Sequence, residues 1–221
     1  MIGLRRVLGR LGLAAVALGL VATPLYAAAS PPAAPATTPA APAVPDEMSM
    51  GNPRARISVI EYASLGCPHC AEWSRDVFPQ FKKTYIDTGK VRFVLREMLF
   101  GDSTLSAAGF LVARCAGRQK YFDLVQAIFN DQADIENGGA KALLKLAEPF
   151  GLTEDRFKAC LQDDAALKIL EARANRYVTD DSVTGTPTFV IGDQRLLGGQ
   201  TLAQLDAAIT AARAAARARS R

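Results

Sequence analysis

The 221-residue sequence contains one histidine, His69, and four cysteines, and this scarcity excludes most metal chemistry. A closed zinc site takes four Cys or His ligands. Here Cys67 and Cys70 stand as a pair, with no second Cys-x-x-Cys to complete the set. A zinc reading would have to recruit Cys115, Cys160 or carboxylates. Long apolar runs are also missing. The stretch from Leu11 to about Tyr26 is sixteen residues, short of the roughly 20 that span a bilayer. Charge excess is small: 26 basic against 22 acidic residues, and three of the arginines lie in the first ten positions. Without those three the balance is 23 to 22, which gives no electrostatic footprint for nucleic acid. No internal repeat is visible.

The N-terminus has an order of its own. Arg5, Arg6 and Arg10 precede the apolar stretch, and Ala27-Ala28-Ala29-Ser30 follows it. Basic, apolar and then small residues form the pattern of a secretory signal peptide over residues 1–29. An uncleaved membrane anchor is the alternative. Residues 30–49, mostly Pro, Ala and Thr, cannot bury apolar area and read as a semi-rigid linker. The folded part is expected to begin near Asn52.

Beyond the linker the pattern alternates between strand and helix. Ile57–Ala63 is rich in branched apolar residues and predicts a strand. Pro68 suits a first helical position, because the N–H it lacks would be unpaired there. A helix is expected from Pro68 to about Tyr85, with Trp73, Val77, Phe78 and Phe81 on one face. Val91–Leu95 predicts a second strand. Residues 102–180 carry helical periodicity: Asp102 or Ser103 caps the first helix, Gly151 stops a later one and Thr153 starts the next. Thr188–Ile191 and Arg195–Leu197 form a hairpin around Gly192-Asp193, and Leu202, Leu205, Ile209 and Ala212 mark a closing helix. Arg213, Arg217 and Arg219 suit the negative end of that helix. The sum is a mixed α/β sheet with a helical insertion.

Cys67-Pro68-His69-Cys70, placed between a strand and a helix, is a redox signature. At a helix N-terminus the unpaired N–H groups and the dipole favour a thiolate, so Cys67 is expected to be exposed, acidic and nucleophilic. His69 can add positive charge or a hydrogen bond to the same sulfur. Cys70 is expected to be less exposed and to act as the resolving thiol. A low thiol pKa stabilises the reduced form and makes the disulfide oxidising. A purely structural disulfide closing four residues gains little loop entropy. Gly185-Thr186-Pro187-Thr188 is the second candidate. Pro187 begins a strand, where it need not donate to the ladder. The pattern alone favours a trans bond there, and a tight entry would need cis.

Cys-Pro-His-Cys after Glu61-Tyr62-Ala63-Ser64, then a helical block, then Thr-Pro-Thr-Phe-Val-Ile-Gly, resembles the DsbA family of thioredoxin-fold oxidoreductases over residues 50–215. The resemblance implies an α/β thioredoxin-like fold, residues 50–101 and 181–221, with an inserted helical domain, residues 102–180. It implies that Cys67 is the nucleophile, that Cys70 resolves the mixed disulfide and that His69 tunes the thiolate, with Pro68 a further residue of the catalytic motif. Pro187 matches the family's cis-proline, Thr186 the residue whose backbone contacts substrate peptides, and Glu61 a buried acid that assists proton transfer. For Glu61 a solvent-facing strand position is the alternative. The implied activity is donation of disulfides to reduced or unfolded exported proteins in the periplasm. No cofactor or metal is implied beyond the redox disulfide, and a quinone-linked membrane protein would reoxidise the pair. The best-known oxidases of the family carry Val before the cis-proline. Thr186 is commoner in the related isomerases, so an isomerase or reductase stays open. So does a non-catalytic binding module of chaperone type, with Trp73 and other aromatics as its surface. The Pro/Ala linker stands where those isomerases carry a dimerisation domain, which favours a monomer.

Four cysteines in an exported chain is an even count. With Cys67 and Cys70 paired, Cys115 and Cys160 are left for each other. Such a bridge would add stability and shift the redox potential modestly. Two buried free thiols acting as small apolar side chains are the alternative.

Overall fold

The computed structural model describes residues 47–220; the expected signal segment and most of the linker lie outside these. Ser58–Ala63 (β2) and Arg92–Glu97 (β3) pair in parallel, with Val59 opposite Phe93 and Glu61 opposite Leu95. Helix α1, Pro68–Asp76, belongs to the crossover between them. Thr188–Ile191 (β4) pairs antiparallel with the other side of β2, and Gln194–Leu197 (β5) with β4. Met48–Gly51 (β1) closes the far edge against β3, giving the order β1-β3-β2-β4-β5.

The folded part therefore starts earlier than Asn52. Met48 and Ser49, expected in the linker, belong to the sheet. Met48 buries its side chain in the core and pairs with Leu95, which offsets the ordering of this short edge.

Alternation along the strands gives each face of the sheet its own apolar cluster. Val59, Ala63, Phe93, Leu95, Phe189 and Ile191 join the main core with Trp73, Phe78 and Phe81. Tyr62, with Ile60 and Val190, joins a smaller cluster around Met98, Tyr177 and Val183. The closing helix α8, Leu202–Arg219, buries Leu205, Ala208, Ile209 and Ala212 and starts in a capping box between Thr201 and Gln204.

The long helix expected after Cys67 is broken. It stops at Asp76, resumes as α2, Phe78–Phe81, and ends in a π-turn over Lys82–Ile86. Pro79 is the cause: it cannot donate to the Arg75 carbonyl, and its ring crowds that turn. Phe78 and Phe81 still reach the core and Val77 is half-buried, so the apolar face survives the kink.

The insertion consists of α3 (Ser103–Cys115), α4 (Tyr121–Asn130), α5 (Gln132–Ala147), α6 (Glu154–Leu161) and α7 (Asp164–Thr179). Asp102 caps α3 by accepting from the N–H groups of Thr104 and Leu105, and Thr153 caps α6. Helix α5 begins well before Leu143 and breaks at Gly139, where φ is 59°. The insertion and the thioredoxin-like parts fall in one compact unit, residues 43–221.

A disulfide ties helices of the insertion to each other, and a buried ion cluster ties the insertion to the sheet. Cys115 at the end of α3 is bonded to Cys160 in α6, with Cα atoms 6.2 Å apart. Buried Glu97, at the end of β3, accepts from Arg114 on α3 at 2.7 and 2.9 Å, Arg173 on α7 at 2.8 Å and Tyr121 on α4 at 2.8 Å. These donors occupy both carboxylate oxygens, and removing any one of them leaves buried polar groups poorly compensated.

Replacing both Cys115 and Cys160 by Ser is expected to lower the unfolding free energy by roughly 2–4 kcal/mol, because the 45-residue separation leaves a long loop open in the unfolded chain. Urea denaturation of the double variant against the parent, with Cys67 and Cys70 held reduced in both, measures it.

Candidate functional site

Strand β2 ends at Ala63, and the chain must turn sharply to start α1. Gly66 allows the turn: a Cβ there would lie 2.1 Å from the Asp102 carbonyl oxygen. The turn is held on every side. Gly66 N–H donates to Ser106 Oγ at 2.8 Å, Ser106 and Ser64 hydroxyls bond at 2.6 Å, and Gln132 Nε2 donates to the Leu65 carbonyl at 2.6 Å. Cys67 is thereby left as the N-cap of α1, in extended conformation, with Pro68 as the first helical residue.

No side chain caps this helix start, and the N–H groups of its first turn favour negative charge on the Cys67 sulfur. The Cys67 thiol falls to about 5 from an ordinary 9. A hydrogen bond from the Cys70 thiol is the largest cause, opposed by burial and reinforced by the Thr186 side chain and the backbone N–H groups of Cys70 and His69. Cys70 is fully buried, and burial drives its thiol far up. Both cysteines are free thiols here, so this is the geometry of the reduced state.

Two expectations are corrected. Cys67 is 8% exposed, because the 185–187 turn lies over it. Its thiol reaches the Thr186 carbonyl at 3.3 Å. The imidazole of His69 is not on the sulfur. It projects outward, Nδ1 3.5 Å from Glu72 Oε2, and it is the His69 backbone N–H that favours the thiolate.

The Thr186–Pro187 peptide bond is cis. Pro187 heads β4 and is buried, with its carbonyl accepting from Gly198 N–H at 2.8 Å. The second sequence candidate thus lies against the first, although 119 residues separate Cys67 from Thr186.

Glu61 is buried, not solvent-facing, with 3% exposure. It points toward the core face of β2, beneath the cysteines. Its Oε1 has no hydrogen-bond partner among the described residues. The side chain lines a cavity of about 20 Å³ with Trp73, Phe78, Phe93, Phe122 and Gln126. That volume suits roughly one water. Burial first, and the Cys67 charge second, push its carboxyl up to about 8.

Sequence reasoning passed over Ser106 and Gln132, which hold the turn before Cys67, and Glu97. Polar residues buried within helical or strand patterns look like ordinary surface positions, so no local signal marked them. Among the described residues no group of three or more Cys, His, Asp or Glu side chains could hold a metal ion.

The family model described as thioredoxin matches residues 43–211. A Rickettsia conorii protein, named provisionally as a protein-disulfide oxidoreductase, is 34% identical over 149 residues, covering 66% of this chain and 53% of its own length. The similarly named Rickettsia bellii protein is also 34% identical, with 57% of its length covered. The chain therefore spans little more than half of these relatives. Among solved structures, alpha-DsbA1 of Wolbachia pipientis superposes with a TM-score of 0.73 at 25% identity, over 80% of this chain and 96% of that one. BdbD of Bacillus subtilis is alike in fold, with a TM-score of 0.68 at 20% identity over 75% of this chain and 92% of that one.

An acid whose pKa rises on folding destabilises the fold above its unfolded value of 4.5, because only the unfolded chain ionises freely. The cost grows through neutrality and levels off above about 8. Glu61→Leu is accordingly expected to gain about 3 kcal/mol over the parent between pH 4.5 and about pH 7.5. Chemical denaturation of both proteins across that range measures the gain.

Proposed function

The chain belongs to the DsbA-like branch of the thioredoxin family, and from that membership we propose that it is a protein-disulfide oxidoreductase that donates disulfides to exported proteins. One observation carries the reading: two thiols of opposite acidity sit together at a helix start, the acidic one beside Thr186-Pro187.

The exchange follows from that asymmetry. A substrate thiolate attacks the Cys67 sulfur of the Cys67–Cys70 disulfide, and the bond to Cys70 breaks. A second substrate thiolate then attacks its own sulfur in the mixed disulfide, and Cys67 departs as a thiolate. Two electrons pass from the substrate dithiol to the enzyme pair, and the substrate gains the disulfide. Cys67 is a good leaving group because its thiolate is stabilised before it leaves. Buried Cys70 takes up a proton, since its thiol is the more basic. Glu61, protonated at neutral pH and below the pair, is a short-range source and sink for that proton. Thr186 and Pro187 present backbone to the substrate beside Cys67.

The N-terminal pattern supports export, and the periplasm is the compartment where disulfides are made. A quinone-linked membrane partner would take up these two electrons and re-form the Cys67–Cys70 disulfide. The acidity of Cys67 favours an oxidase over an isomerase or reductase, whose pair must be kept reduced.

Oxidised protein is expected to restore activity to a reduced, multi-disulfide substrate. Cys67→Ala abolishes the transfer, and Cys70→Ala, mixed instead with the disulfide-bonded substrate, accumulates a mixed disulfide at Cys67 with release of one substrate thiolate. Equilibration with glutathione is expected to give a potential nearer about −120 mV than about −270 mV. Full transfer by Cys67→Ala would contradict the reading, and a potential near the lower value would turn it toward a reductase.

A further inference from the structure

A groove of about 420 Å³ opens beside the catalytic pair. One wall is α1, with exposed Glu72 and Asp76, half-buried Val77 and the edge of buried Trp73. The other is Thr186 and the turn 198–201. Trp73 fixes the two walls together: it is nearly fully buried, and its Nε1–H donates to the Gln200 carbonyl at 2.9 Å. Because the groove includes Thr186, whose carbonyl lies 3.3 Å from the Cys67 sulfur, it is the path open to chain flanking a reacting substrate cysteine.

Its charge is one-sided. Glu72 and Asp76 stand one helical turn apart on α1, and no Lys or Arg lines the groove. Asp76 has no ion-pair partner among the described residues, and Glu72 faces only the exposed His69. Arg75, the cation of the same helix, turns away and donates to the Phe129 carbonyl at 3.2 Å. The chain beyond residue 29 is almost neutral, so this acidity is local to the groove.

Geometry sets a spacing. Glu72 is five residues and Asp76 nine residues along α1 from Cys67, about 7 and 13 Å at the helical rise. An extended peptide covers the same distances in roughly two and four residues. We propose that the groove selects substrate thiols that carry a lysine or arginine about two to four residues from the reacting cysteine. The aliphatic stem would lie along the groove beside half-buried Val77, with the charge at Glu72 or Asp76. The inference rests on the thiol-exchange reading and names the substrate class that this reading leaves open.

The test uses oxidised full-length protein and single-cysteine peptides of Gly, Ser and Ala, with Lys, Gln or Glu placed two or four residues to either side of the cysteine. Each rate of mixed-disulfide formation is divided by that of the same peptide with the uncharged bis(2-hydroxyethyl) disulfide, which removes the charge's effect on the peptide thiol itself. The Lys peptides are expected to lead the Glu peptides by about tenfold at low salt, and the lead should shrink several-fold at about 0.5 M salt. Glu72→Gln with Asp76→Asn should level the series, and Glu72→Lys with Asp76→Lys should reverse it. Rates equal within about twofold across Lys, Gln and Glu peptides at low salt would overturn the proposal and leave thiol exchange standing. Failure of every peptide to react would remove both.

Discussion

Everything in this structure that bears on chemistry depends on one constraint: the sulfur of Cys67 is held at the start of α1, where no side chain caps the helix and the backbone N–H groups of His69 and Cys70 favour its thiolate. The constraint is local in origin and global in support. Gly66 makes the turn, and the Ser64–Ser106 contact and Gln132 anchor its carbonyls and N–H groups to the insertion. Helix α1 is pinned in turn by Trp73, which reaches across to Gln200. A shift of any of these would move the sulfur out of the field that makes it acidic.

The two cysteines show how burial and hydrogen bonding separate groups of the same chemistry. Both thiols are largely shielded from water, yet one is driven down and the other up. The donor between them accounts for this: the Cys70 thiol gives its hydrogen bond to Cys67, which stabilises one thiolate at the expense of the other. Glu61, uncompensated below them, is a second cost in the same small volume. Stability is thus spent where protons must move, while the Glu97 cluster and the Cys115–Cys160 bridge fasten the surrounding helices.

Much of this was legible in the sequence, and for physical reasons. The Cys-x-x-Cys pair after an apolar strand, the Thr-Pro before another, and the caps at Asp102 and Thr153 are signals carried within a few residues. What escaped was non-local or against the local trend. Strand β1 hid in a Pro/Ala-rich context because four residues are too few to show alternation, and its partner β3 lies more than 40 positions on. The break at Pro79 was overlooked because the apolar spacing continues through it. The closure of the 185–187 turn over Cys67 depends on packing that no spacing encodes, whereas the turn of His69 toward Glu72 follows an i,i+3 spacing that could have been read. Glu97 and Arg173 sit in patterns where charged residues ordinarily face water.

The claim at the centre is that Cys67 is a thiolate at neutral pH in the reduced protein. Thiolate absorbance near 240 nm, followed against pH for the reduced chain with Cys70→Ala as a reference for assignment, tests it directly. The account predicts a titration in the parent centred near pH 5. A reduced protein that titrates only near pH 9, as an ordinary cysteine does, would contradict it.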